Sequence, residues 1–186
     1  MRFVALLIVA TAQLCLAQPP SNSDRESAFK DLILADLRRP FPTDAVLSQR
    51  LTDHRQNFER LVVMAKADKE LLRIAPNFTW TTSSLVWPRP ASQLGFTVQR
   101  WDEYRRLFHT LGLEAGVLRP WDHPDGVYLI VQTKGLMTGG STKGYAYSER
   151  VLGPRRDSLD KPEAIVHTEI CFKPLGGNWY LYLEQD

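Results

Sequence analysis

Apolar positions recur at helical spacing in the first half of the chain and at a period of two in the second. Ser23 and Glu26 stand at capping-box spacing, and Phe29, Leu32, Ile33 and Leu37 follow on one helical face until Pro40 and Pro42 stop the run. Thr43-Asp44 is placed to cap a short second helix through Leu51. Thr52-Asp53 opens a longer one, with Phe58, Leu61, Val62, Ala65 and Leu72 on one side and Pro76 at its end. Residues 77–82 (NFTWTT) are extended by propensity, and Pro88-Arg89-Pro90 reads as loop. The strongest periodicity is Val98, Trp101, Tyr104, Leu107, Phe108 and Leu111, with Arg100, Asp102, Glu103, Arg105 and Arg106 opposite. Thr97 is its expected N-cap and Gly112 its expected stop.

Beyond Gly112 the alternation predicts strands over residues 115–119, 127–137, 142–150, 164–173 and 179–184, with residues 151–163 as the one long loop. Helices followed by hairpins predict an α+β fold, with N-terminal helices packed on one face of a C-terminal antiparallel sheet of about five strands. A two-residue turn at Gly139-Gly140 would pair Lys134 with Tyr145 and Gln132 with Tyr147. The opposite face would then hold Val127, Leu129 and Val131 beside small partners. A turn at Gly176-Gly177 would set Ile170 by Leu183, Phe172 by Leu181, Cys171 by Tyr182, Lys173 by Tyr180 and Glu169 by Glu184.

The N-terminus changes this picture. Arg2, the apolar run of residues 3–10 and the small Ala17 describe a secretory signal peptide over residues 1–17, cut after Ala17. The run is broken by Thr11 and Gln13 and is too short for a membrane span of roughly 20 residues. Residues 18–22 then read as a linker and residues 23–186 as a single α+β domain. Cleavage would remove Cys15, leaving Cys171 without a disulfide partner at an oxidising destination. The formal charge of the whole chain is only +2, so composition gives no reason to expect nucleic acid, and no stable membrane insertion is expected after cleavage. The expected location is periplasmic or secreted.

Three stretches carry side chains capable of chemistry. His167, Glu169 and Cys171 alternate on one strand face, and the expected register sets Glu184 across from Glu169. His167, Glu169 and Glu184 are thus the alternative reading, a small metal-dependent or acid/base hydrolase. Residues 121–126 (WDHPDG) put two carboxylates and a histidine in one turn, chemistry that Asp, Pro and Gly also supply for conformational reasons alone. Residues 133–145 are glycine-rich and hold two Thr-Lys-Gly triplets with no helix following, which disfavours a phosphate cradle. A hairpin tip with lysines and nearby tyrosines suits contact with a protein or carbohydrate partner. The expected contact surface is therefore Lys134, Gly139, Gly140, Lys143, Tyr145, Tyr147, Tyr180 and Tyr182. No nucleophile-elbow, Walker-type, Cys-x-x-Cys or His-Glu-x-x-His motif occurs, and no cofactor is expected.

Gly95-Phe96-Thr97 with Arg100-Trp101-Asp102-Glu103-Tyr104, residues 140–147 (GSTKGYAY) and residues 177–182 (GNWYLY) together resemble a group of small exported bacterial proteins of unknown function. The resemblance spans roughly residues 70–184 and brings no catalytic residues with it. A narrower similarity, to periplasmic lysozyme inhibitors of the membrane-bound type, rests on Tyr128 and Thr133-Lys134-Gly135. That family's Ser-Gly-x-x-Tyr element precedes its Thr-Lys-Gly, whereas Gly140-Ser141 follows it here in inverted order. The expected function is accordingly a non-catalytic binding or interaction module of the bacterial cell envelope.

Overall fold

The computed structural model describes residues 22–81, 85–86, 94–120, 123, 125–136, 139–160 and 169–185. The expected signal peptide, the loop at residues 88–90 and the first residues of the strand expected over 164–173 lie outside the described residues. The chain divides into two compact units, residues 1–38 and 39–186. In the first, α1 spans Asn22–Arg38. Asn22 thus belongs to the helix and not to the expected linker.

In the second unit the chain runs α2 (Asp44–Asp53), α3 (Arg55–Ala67), β1 (Leu71–Ile74), β2 (Thr79–Thr81), β3 (Leu85–Val86) and α4 (Val98–Leu111). It continues with β4 (Gly116–Leu118), β5 (Val127–Leu136), β6 (Gly139–Tyr147), β7 (Glu169–Gly176) and β8 (Trp179–Gln185). The strands form one antiparallel sheet in the order β3-β2-β1-β4-β5-β6-β8-β7. The fold is α+β, as the pattern predicts, but the described residues form eight strands and not about five. Nor do all helices precede the sheet, because α4 follows β3.

The caps of α2 and α4 are where the side chains place them, whereas Ser23, expected to cap the first helix, lies inside α1. Thr43 accepts the Val46 N–H at 3.3 Å, and Thr97 accepts the Arg100 N–H at 3.1 Å. Gly112 ends α4 at φ 63°, a left-handed conformation that glycine adopts without steric cost. The third helix differs from expectation at both ends. Thr52 and Asp53 close α2, and α3 stops at Ala67. Leu72 continues the helical spacing, yet the backbone turns through residues 68–70 and Leu72 is buried in β1.

Helices α2, α3 and α4 share one core with the sheet face that carries Val127, Leu129, Val131, Tyr145, Trp179, Leu181 and Leu183. Phe58 of α3 meets the Tyr145 ring edge-on at 4.6 Å and Trp179 at 5.8 Å. The Tyr145 hydroxyl donates to the Leu47 carbonyl at 2.9 Å, tying α2 to β6. Burial pushes the Tyr145 phenol well above its ordinary pKa, so it stays a neutral donor. The other sheet face holds a second cluster of Tyr128, Ala146, Phe172, Tyr180 and Tyr182, covered in part by Leu152 from the loop after β6. Gly144 is required there, since a Cβ would lie 2.2 Å from the Leu129 carbonyl oxygen and 3.0 Å from the Tyr182 ring.

Both expected registers are corrected. In β5–β6 pairing extends to Leu136 opposite Gly139, so Gly139 and Gly140 are ladder residues and not a connecting turn. Lys134 faces Ser141 and Gln132 faces Lys143. A bulge at Val131 then changes the parity of the pairing, so that Leu129 faces Tyr145 and Val127 faces Tyr147. One extra residue thus carries both tyrosines to the helix side. In β7–β8 the ladder is displaced by one residue, pairing Glu169 with Gln185, Ile170 with Glu184, Cys171 with Leu183 and Phe172 with Tyr182. The displacement is tolerated because both faces of this pair are covered, so either parity buries apolar groups.

Candidate functional site

The chain after α1 cannot continue as helix through Pro40-Phe41-Pro42, so it runs extended to Thr43, which caps α2. This places Asp44 in the first turn of α2, where the helix dipole favours a carboxylate. Opposite it, β6 projects Lys143 from the core face of the sheet, with only 1% of the residue exposed. The Lys143 ammonium lies 2.9 Å from Asp44 Oδ1 and donates to Asp160 Oδ1 at 2.8 Å. Lys173 of β7 donates to Asp44 Oδ2 at 3.1 Å, and the Leu159 N–H donates to the same oxygen at 2.9 Å. Asp160 in turn accepts the Asp44 backbone N–H at 2.9 Å. Burial alone would raise the Asp44 carboxyl; Lys143, the Leu159 N–H and Lys173 outweigh it and hold Asp44 at about 2.

Above this cluster lies a cleft of about 310 Å³, lined by Pro40, Phe41, Thr43, Lys134, Lys143, Leu159, Asp160 and Leu183. Its walls are mostly apolar, and Lys134, Lys143 and Asp160 are its charged lining residues. The Lys134 ammonium stands 4.3 Å from the centre of the Phe41 ring, within cation–π reach. Gln132 fastens the strap that carries Phe41 by donating to the Arg39 carbonyl at 3.4 Å. Arg39 is held in turn by Glu114, Nη2 to Oε2, at 2.5 Å.

The residues expected to form one contact surface are dispersed. Lys134 and Lys143 meet at the cleft, and Gly139 and Gly140 continue the same strands. Tyr145 is fully buried in the core, and Tyr180 and Tyr182 are buried on the opposite sheet face. Tyr147 is half-buried at the far end of β6, 5.2 Å from Trp179, with the Lys66 ammonium 4.9 Å from its ring centre. It borders a second groove of about 380 Å³ with Arg55, Glu59, Val62, Val63 and the turn at Gly177-Asn178. The bulge at Val131 and the covered outer face explain why these tyrosines do not share an exposed surface.

The expected carboxylate pair also separates. Glu169 points to the helix side and lies 3.6 Å from Arg156, whereas Glu184 pairs with Ile170 on the other face. His167 lies outside the described residues. No group of three or more His, Cys, Asp or Glu among the described residues could hold a metal ion. Of the turn at residues 121–126, Asp125 is exposed and lies 3.5 Å from Arg150, while 121, 122 and 124 lie outside the described residues.

Asp44, Asp160, Lys173 and Phe41 were not legible as site residues. Asp44 looks in sequence like an ordinary helix-start aspartate, and Asp160 lies in a loop 116 positions away. The trace that did exist was Lys143 itself, a lysine flanked by alternating strand residues. Comparison with known proteins finds no matching family model, no matching curated protein and no matching solved structure.

Proposed function

We propose that the protein is an exported binding module of the bacterial cell envelope that seats its ligand in the cleft over Lys143. The observation that carries this reading is a buried lysine, its ammonium held between two carboxylates, among the residues that line a cleft with mostly apolar walls. Ligand sites combine mostly apolar linings with a few fixed polar groups, and about 310 Å³ falls at the small end of their size range. An ammonium bound to two carboxylates offers donors and charge but no lone pair for attack or proton abstraction, which favours binding over catalysis. Export is supported by the signal-like residues 1–17, and no described helix is long and apolar enough to cross a membrane.

Native mass spectrometry of the full chain after incubation with envelope extract tests the site. The wild type should retain a small-molecule adduct that Phe41→Ala loses. An adduct kept by Phe41→Ala at wild-type occupancy would remove the cleft from the reading. Fusion of residues 1–40 to a reporter enzyme that is active only after export tests the destination, and an inactive fusion would overturn it.

A further inference from the structure

We infer that the cleft takes a small uncharged molecule, a single ring with a short arm, an inference that rests on the binding reading above. The charged groups at the cleft already answer one another. Asp44 and Asp160 supply two carboxylates, and Lys143 and Lys173 two ammoniums, so the cluster sums to zero. The Lys143 ammonium is held between Asp44 and Asp160, at 2.9 and 2.8 Å. Asp160 also accepts the Asp44 backbone N–H at 2.9 Å. Lys134, the remaining cation of the lining, lies 4.3 Å from the centre of the Phe41 ring and has a further partner besides. Asp44 Oδ1 is ion-paired to Lys143 without a hydrogen bond, but its side chain is buried and is not part of the lining.

No lining charge is therefore left without a partner to meet a charged ligand. An anion or a cation entering the cleft would give up its water and compete with ion pairs already made. An uncharged ligand loses far less on leaving water, and the strap rewards it with apolar surface. Pro40 is exposed and Phe41 half-buried, while Leu159 and Leu183 are buried where they line the same cleft. An apolar cavity of about 150 Å³ accommodates benzene. At about 310 Å³ the cleft has room for one ring and a short arm.

Isothermal titration of the full chain with benzyl alcohol, benzoate and benzylamine tests the class, because the three share a ring and a short arm and differ in charge. Benzyl alcohol should bind roughly tenfold more tightly than either ion. Added salt should leave its affinity unchanged. Phe41→Ala, with its fold verified by circular dichroism, should abolish this binding, and Phe41→Leu should retain it within a few-fold. In leucine-methyl NMR spectra of the wild type, benzyl alcohol should shift the Leu159 and Leu183 resonances, which locates it without any substitution. Benzoate or benzylamine binding as tightly as benzyl alcohol would overturn the uncharged class and leave the binding module standing. Binding that moves neither leucine would put the probe elsewhere and overturn the inference. If no probe binds while an extract adduct still depends on Phe41, the ligand class is wrong and the site is right. If neither probe nor extract loads the cleft, both readings fall.

Discussion

Asp44 keeps its charge at depth because Lys143, Lys173 and the Leu159 N–H share one carboxylate. Its folded-state value of about 2 lies below the ordinary 3.8 of an unfolded chain. The ionised form therefore favours folding at any pH above the unfolded value, and the advantage is lost as pH falls toward the folded one. The gap corresponds to about 2 kcal/mol. Urea unfolding of the wild type and Asp44→Asn should thus show a stability difference that shrinks by about 2 kcal/mol between pH 6 and pH 2. A difference unchanged across that range would mean that Asp44 ionisation is not linked to folding. Gly144 makes a second argument at this scale. Its missing side chain lets the Leu129 carbonyl and the Tyr182 ring close over it, and backbone cannot yield as a flexible side chain would. Gly144→Ala should cost about 2–3 kcal/mol in urea unfolding, at the upper end for overpacked cores. By contrast, a Cβ at Gly112 would meet only the movable Arg50 guanidinium, at 2.6 Å. Gly112→Ala should then cost about 1 kcal/mol, mainly through its positive φ.

Helix α4 is fixed to α3 by one carboxylate. Asp68, at the end of α3, accepts from the Tyr104 hydroxyl at 2.7 Å and from Arg100 Nε at 2.9 Å, while Glu103 links Arg100 to Arg60. Burial, reinforced by the Asp68 charge, raises the Tyr104 phenol far above its usual range, so Tyr104 remains a donor at any working pH. Asp68→Ala strips a buried hydroxyl of its acceptor and should cost about 2 kcal/mol. In a double-mutant cycle with Tyr104→Phe the two effects should be strongly non-additive, because the second change removes the orphaned group. Additive effects would sink this account of the α3–α4 joint. Elements of this kind were readable in sequence, since Thr43, Thr97 and Gly112 act through neighbours one turn away. The strand registers were not. A bulge residue such as Val131 has no compositional mark, and β8 is buried on both faces from Trp179 to Leu183, so alternation could not tell core from cover. Of the candidate site only the two lysines, Lys134 and Lys143, showed in the sequence, for the same reason. Lys143 looks like a hairpin-tip lysine until the ladder extends to Gly139 and the bulge sets its face.

At the scale of the molecule, both apolar clusters are built from residues of the second unit, from Leu47 in α2 to Leu183 in β8. The near-neutral composition, with a formal charge of +2, adds no strong field to hold parts together or to draw a polyanion. Cohesion therefore comes from apolar burial, at roughly 25 cal/mol per Å², with the buried ion pairs setting geometry more than stability. The cleft also lies wholly within this unit, between the strap at Pro40–Thr43, the end of β6 and the loop at Leu159-Asp160. A fragment beginning at Arg39 should consequently fold by itself. It should unfold in urea as one cooperative transition, coincident by near-UV and far-UV circular dichroism, as one compact unit requires. It should also keep the Phe41-dependent small-molecule adduct. Helical signal without a cooperative transition would show that the core needs residues 1–38 to close, and that the strap carrying Phe41 is positioned from outside the second unit.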